Sequence, residues 1–585
     1  MVFDSVLVLT ARLMCEALIQ WAAAVLIVLG AGSLWFKIWR DSGQDRSSLE
    51  TVWVGFAVVA AILYITNLFV GLTSGWVKLL LAALFISGVI EVHSQKSNRR
   101  TSLLFGLSRK KQFYIYTSAL IVAAILANWT IGPPKVGDSS LYHIGIVDYA
   151  ANYRAIPGLV NLHSRLAFTS TTYMLGAVFQ NGFWGIDGYR LASGFVALLF
   201  LFECMSRIRR IVVNADSDIG NYLILIGSAI VVLSGVWIPN TSITAPSPDL
   251  SAAILILVAF AYSARAFKLN TEYGYGLAIC VATLSVSFRP LTVPLLSILL
   301  FMLGRKAVAN RSIGVTGLGA LFLSGLLMFG IVSRSVIVSG YLYYPSNFRF
   351  LNLDWAAPRA FAKIDLNTIE SWAKTPKVAS SEVLSSQSWI AGWIDRWKQY
   401  FALPMITMGF GTLMVLRLLV NDRLNALKKI PFLFVFSMVS VGAFWLLAAP
   451  DPRFAIGLIA VVVAMPASWI LAEWATGSSR HNSTATVSLV VVLLLQYAYI
   501  VVTPKYPYSS LIMRASSESP RGLVPFTGGP TTTARLESSL IINVPTDPEG
   551  GCFRVELCAP SVNKMNEGLE SRGNSIVDGF RTTGQ

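Results

Sequence analysis

Charge is scarce in this chain. Asp, Glu, Lys and Arg make up 13% of the 585 residues, against 55% hydrophobic, and the mean hydropathy is +0.62. An ordinary soluble domain is about 25% charged, so a soluble protein is excluded. Cysteine is scarce too. Five in the whole chain exclude a scaffold built from disulfides. Cys15, Cys204 and Cys280 lie in or beside apolar runs and read as packing residues. Internal repeats and long low-complexity tracts are missing, which weighs against a transporter built from paired halves. Nothing has the spacing of a dedicated metal cage.

Long apolar runs are what the chain has. About fourteen are long enough, or nearly so, to match the hydrocarbon thickness of a bilayer. They fall near 17–36, 51–72, 75–92, 113–132, 187–205, 218–237, 249–265, 272–288, 291–304, 312–332, 401–420, 431–449, 454–474 and 485–503. These spans are expected to be nearly free of charge at mid-membrane, which again disfavours a transporter.

The formal net charge of +16 invites a nucleic-acid partner, and the placement of the charges rejects it. Lys37, Arg40 and Arg46 follow the first run, and Lys96 to Lys111 the third. Arg207, Arg209 and Arg210 follow the fifth, Arg265 and Lys268 the seventh, and Arg305, Lys306 and Arg311 the ninth. The intervening loops carry almost none. That alternation is the positive-inside pattern and puts the basic loops in the cytoplasm. Both termini and the loops 133–186 and 333–400 then lie outside a bacterial inner membrane. The first run is too long for a cleavable signal and lacks a basic n-region. Cys552 and Cys558 are then in an oxidising compartment and are expected to pair.

The expected fold is an all-α polytopic membrane protein with outer-face loops and a small C-terminal extracytoplasmic domain. Its parts are a three-helix addition (1–112), a membrane module (113–332), an aromatic outer loop (333–400), further membrane helices (401–503) and a tail (504–585). Strands are expected at Ser539–Val544 and Phe553–Cys558.

Asp138 follows the fourth run and opens GDSSLYHIGIVDYAANYRAIPGLVNLHSRLAF. It is a good helix N-cap. It is equally a carboxylate at the membrane surface, with Tyr142, His143, Asp148, His163 and Arg165 behind it. Asp249, Arg289, Asp451 and Arg453 fall on the same side. The loop 333–400 adds Tyr343, Tyr344 and Trp355. These types suit sugar transfer from a lipid phosphate. An aspartate takes the acceptor proton, worth about 10²–10⁴-fold in rate, and guanidinium groups hold the leaving phosphate. Bland readings stand beside these. Asp451 and Arg453 can pair with each other, the arginines can snorkel to headgroups, and the aromatics can form an interfacial belt. A divalent cation on Asp138 and Asp249 is the other way to stabilise a phosphate.

An Asp after a span, a helical outer loop, about six more spans and an aromatic outer loop resemble the GT-C superfamily of polyprenyl-phosphate-sugar glycosyltransferases, arabinofuranosyltransferases among them. The resemblance covers roughly 113–400. It implies a GT-C-like module over the fourth to tenth spans and Asp138 as the catalytic residue. The donor would be a polyprenyl-phosphate sugar. The acceptor would be an extracytoplasmic glycan, lipid or protein. The strings DSSLYHIGIVDY, IPGLVNLHSRLAF, SGYLYYPS, APDPRF and LESRGNSIVDGF resemble a group of bacterial polytopic membrane proteins. Asp138 is followed by Ser139 and Ser140, not by a second acid, and no WWDYG string is present. Both departures favour transfer of a single sugar. A lipid or polysaccharide transporter is the rival expectation.

Overall fold

The computed structural model describes residues 2–39, 47–96, 109–134, 136–214, 218–233, 242–346, 352–385, 388–396, 431–475, 512–526, 528–547, 551–560 and 568–582. The protein is mostly helical. Nine helices among the described residues are long and apolar enough to cross a membrane, and two shorter apolar helices stand with them. The expected runs 401–420 and 485–503 lie outside the described residues. Each of the other expected runs falls on a helix.

Helices α1 (Val2–Ile38), α2 (Ser48–Asn67) and α3 (Gly75–Lys96) form the N-terminal group. Their glycines let backbones touch. A Cβ on Gly55 would lie 1.8 Å from the Val28 carbonyl oxygen, and one on Gly88 2.0 Å from that of Leu26. α1 begins well before the expected residue 17. At 37 residues it is about 55 Å long, more than a bilayer core needs.

Next come α4 (Arg109–Trp129), the first-large-loop helices α5 (Ile144–Asn152) and α6 (Thr171–Phe179), then α7 (Ala192–Asn214), α8 (Ile219–Leu233), α9 (Pro248–Leu269), α10 (Glu272–Phe288), α11 (Val293–Asn310) and α12 (Val315–Ser339). α13 (Arg359–Lys374) and α14 (Ser380–Ser385) belong to the second large loop. α15 (Phe432–Ala448) and α16 (Pro452–Ala475) close the described helical set.

The bundle has two unlike ends. Glu50 at the start of α2 binds Arg265 at 3.1 Å and Arg210 at 3.6 Å. The far end of α2 meets the first large loop, where Asn67 donates to the carbonyls of Ala150 and Tyr153. The interior is less free of charge than the sequence suggests. Glu203 sits in mid α7, fully buried beside the buried Arg207. Arg207 also donates to Asn221 of α8, and Trp53 of α2 donates to Glu203. The (i, i+4) pairing lets both charges be buried together.

The tail is small and partly stranded. β1 (Thr531–Arg535) and β2 (Ile541–Pro545) form an antiparallel hairpin, as do β3 (Leu569–Ser571) and β4 (Phe580–Thr582). Cys552 and Cys558 are joined in a disulfide. The strand expected at Phe553–Cys558 is instead a turn-rich loop touching β2 by one bridge, Asn543 to Cys558.

Candidate functional site

Residues 136–170 fold over one end of the bundle. The helix here starts at Gly137 and Asp138, widens to a π-type turn over Ser139–His143 and is α-helical again from Ile144. Such wide turns put extra side chains on one side and recur at functional sites. Asp138 does not cap this helix: its side chain makes no capping bond. Its own backbone is helical, φ −60° and ψ −17°, whereas a capping residue needs an extended backbone to reach back to the first amides.

The Asp138 carboxylate faces Arg165 instead, with Nη1 to Oδ1 at 3.5 Å and side chains 40% and 27% exposed respectively. The Arg165 guanidinium stands 5.5 Å from the centre of the Tyr142 ring. Tyr142 packs edge-on against His143 and Phe168, and His143 against Tyr173. Across from them, Asp249 sits in the first turn of α9 behind the Ser247 cap. It accepts from Arg289 Nη2 at 2.5 Å. Arg289 is the residue that ends α10. Its guanidinium lies 4.1 Å from the centre of the Phe454 ring, and that of Arg453 lies 5.7 Å from it. Thr171 of α6 donates to Ser287 of α10 at 2.7 Å, fixing the two walls together.

His143 lies within the fields of Asp138, Asp249, Arg289 and Arg165. Burial pulls its imidazole down to about 4, with Asp138 the main opposing influence. Burial likewise raises the Tyr142 and Tyr173 hydroxyls well above the usual range. Ser139 Oγ, His143 Nδ1, His163 Nδ1, Ser251 Oγ and Arg289 Nη1 are buried without a hydrogen-bond partner. Unmet donors and acceptors are costly, which makes this cluster a candidate to receive a ligand's polar groups. Among the described residues no group of three or more His, Cys, Asp or Glu is gathered to hold a metal ion.

Other expected site residues sit around this core. Asp451 pairs with Arg453 at 3.1 Å and also accepts from its backbone N–H. Tyr343 feels Arg289, and burial pushes its hydroxyl up to about 12. Tyr344 donates to Asp365 at 2.8 Å while its ring faces Phe168. His163 is buried next to Arg165, and burial, then that cation, pull it down to about 3. Two residues are not brought in. Asp148 accepts from Gln180 at 2.7 Å, with Arg554 and Asp187 for neighbours, and burial raises it to about 6. Trp355 lies 4.7 Å under the Arg572 guanidinium of the tail. Phe168, Tyr173 and Phe454 pack into this cluster without having stood out in sequence. They sit in apolar strings where nothing distinguishes a lining ring from a packing one.

A family model described as a domain of unknown function (DUF8201) matches residues 14–460. The chain belongs to that family. The DUF8201 region holds every residue of the cluster from Asp138 to Phe454, while the described tail, 512–582, lies beyond the match. No curated protein and no solved structure matches the chain.

Proposed function

We propose that the chain is a glycosyltransferase of the GT-C kind. It would move one sugar from a polyprenyl-phosphate donor to a glycan, lipid or exported protein on the outer face of a bacterial inner membrane. One observation carries the reading: the Asp138 carboxylate caps no helix and stays 40% exposed, with Arg165 at a long 3.5 Å. Arg289, whose buried Nη1 has no hydrogen-bond partner, acts on the same Tyr142 and His143 side chains as Asp138 does.

In this reading the acceptor hydroxyl gives its proton to Asp138 as its oxygen attacks the anomeric carbon. The bond from that carbon to the phosphate oxygen breaks, and the phosphate leaves with the electron pair, inverting the centre. Arg289 and Arg453 neutralise the anion, and Arg165 orients the base. Tyr142, His143 and Tyr343 line the sugar site. A divalent cation is the alternative source of positive charge.

The test is lipid mass spectrometry on a host strain lacking the protein, complemented at matched expression with wild type or Asp138→Asn. A polyprenyl-phosphate sugar should accumulate with the variant and be consumed with wild type. Identical lipid profiles and identical envelope glycans would remove the reading. A lipid or polysaccharide transporter is the second reading, favoured by the buried Glu203–Arg207 pair inside α7. A transporter should tolerate Asp138→Asn, which the glycosyltransferase should not.

A further inference from the structure

The last part of the chain rests on the turn that carries Asp138, backbone against backbone. Gly551 has φ +67°, and a Cβ there would lie 2.7 Å from the carbonyl carbon and oxygen of Ser140. Only glycine fits such an approach. Gly551 opens the loop closed by Cys552–Cys558.

That loop also grips the chain beyond the turn. The Leu557 N–H donates to the Tyr149 hydroxyl at 3.3 Å, across 408 positions of sequence. Tyr153 donates to Glu556 at 2.8 Å. Arg554 binds Asp187 at 2.9 Å and the Ile186 carbonyl at 3.0 Å. Tail segments hold both flanks. Met513 and Asn128 exchange two hydrogen bonds of 2.8 Å at the end of α4, and Val524 donates to Ile131. Beyond α5, the Phe580 N–H donates to Pro157 and the Thr582 hydroxyl to Asn161. A single π-type turn has few bonds of its own. This one has tail bonds before and after it, and the Gly551 backbone pressed against it at Ser140.

We propose that the disulfide-closed loop Gly551–Cys558 is a positioning device of the site. It fixes the Ser139–His143 turn and so sets Asp138 and Tyr142 against Arg165. Gly551 acts on the turn directly and Arg554 by anchoring the loop to Asp187 and Ile186; both are positioning residues. The effect on turnover rests on the reading of Asp138 as the base; the effect on the turn does not.

Hydrogen–deuterium exchange of the full-length protein in lipid nanodiscs tests it, with sugar transfer measured in parallel. Wild type is compared with Gly551→Val, Arg554→Gln and Arg554→Lys. It is also compared with itself after a phosphine has reduced Cys552–Cys558 to two thiols. Amides 139–144 should exchange about ten-fold faster in Gly551→Val and in the reduced protein, with α9 and α10 unchanged. Turnover should fall in kcat, with KM for the donor within about two-fold of wild type. Arg554→Lys should keep more protection than Arg554→Gln. The reduced wild type needs no substituted chain to fold. Unchanged exchange at 139–144 in that form overturns the proposal. So does loosening that extends equally through α9 and α10, because the loop would then only hold the fold together. If the turn loosens selectively and no form transfers sugar, the bracing stands and the glycosyltransferase reading falls.

Discussion

Asp138 and Asp249 stand at the same end of the bundle, and their surroundings divide the work. Asp249 is committed to Arg289, while Asp138 keeps a long, half-exposed contact with Arg165. Turnover is therefore expected to survive EDTA. Loss on chelation, restored by magnesium, would make the two aspartates metal ligands. The histidines set a pH dependence. An unfolded chain takes up protons near pH 6.5, whereas folded His143 and His163 do so only at about 4 and about 3. Between those values the unfolded state binds more protons, so stability should fall as pH drops below 6.5. Asp148 runs the other way: raised to about 6 from 3.8, it costs stability as pH rises through that window. Asp148→Asn should raise the melting temperature at pH 7.5 and leave it nearly unchanged at pH 4. Melting curves at several pH values, wild type against variant, check both signs. Most of this cluster was legible as residue types falling at one end of the helical bundle. That Asp138 is not a cap was not legible, because the sequence carries the capping pattern and only the backbone angles decide.

Among the elements, α7 carries the clearest internal risk. Its Glu203 and Arg207 tie α2, α7 and α8 through Trp53 and Asn221. Glu203→Gln would leave a buried guanidinium without its charge partner. The expected cost is about 3–5 kcal/mol, read from denaturant unfolding in detergent, with Glu203→Gln/Arg207→Met recovering part of it. Apolar periodicity was enough to find α7. It was blind to the pair, since Arg207 lies just past the expected span 187–205 and Glu203 alone is lost in an apolar average. The π-type turn at Ser139–His143 was equally hidden. A change from 3.6 to wider spacing over one turn leaves no pattern that composition can reveal.

For the whole molecule, reporter fusions at residues 105 and 160 should report opposite compartments, with 160 outside. A cytoplasmic signal at 160 would remove the outer-face chemistry. Deleting 504–585 should abolish transfer, not merely lower expression. The helical body could be anticipated because each span announces itself locally. The tail could not. Its disulfide was legible from two cysteines in a polar stretch, but its docking is made of pairings across most of the chain, such as Met513 with Asn128 and Phe580 with Pro157. Those pairings have a consequence in time. The ribosome makes Asp138 long before the Gly551–Cys558 loop, and the loop must then be oxidised. On the bracing proposed above, a nascent chain that has not yet reached that loop and closed its bond would carry the Asp138 carboxylate on a turn the tail does not hold.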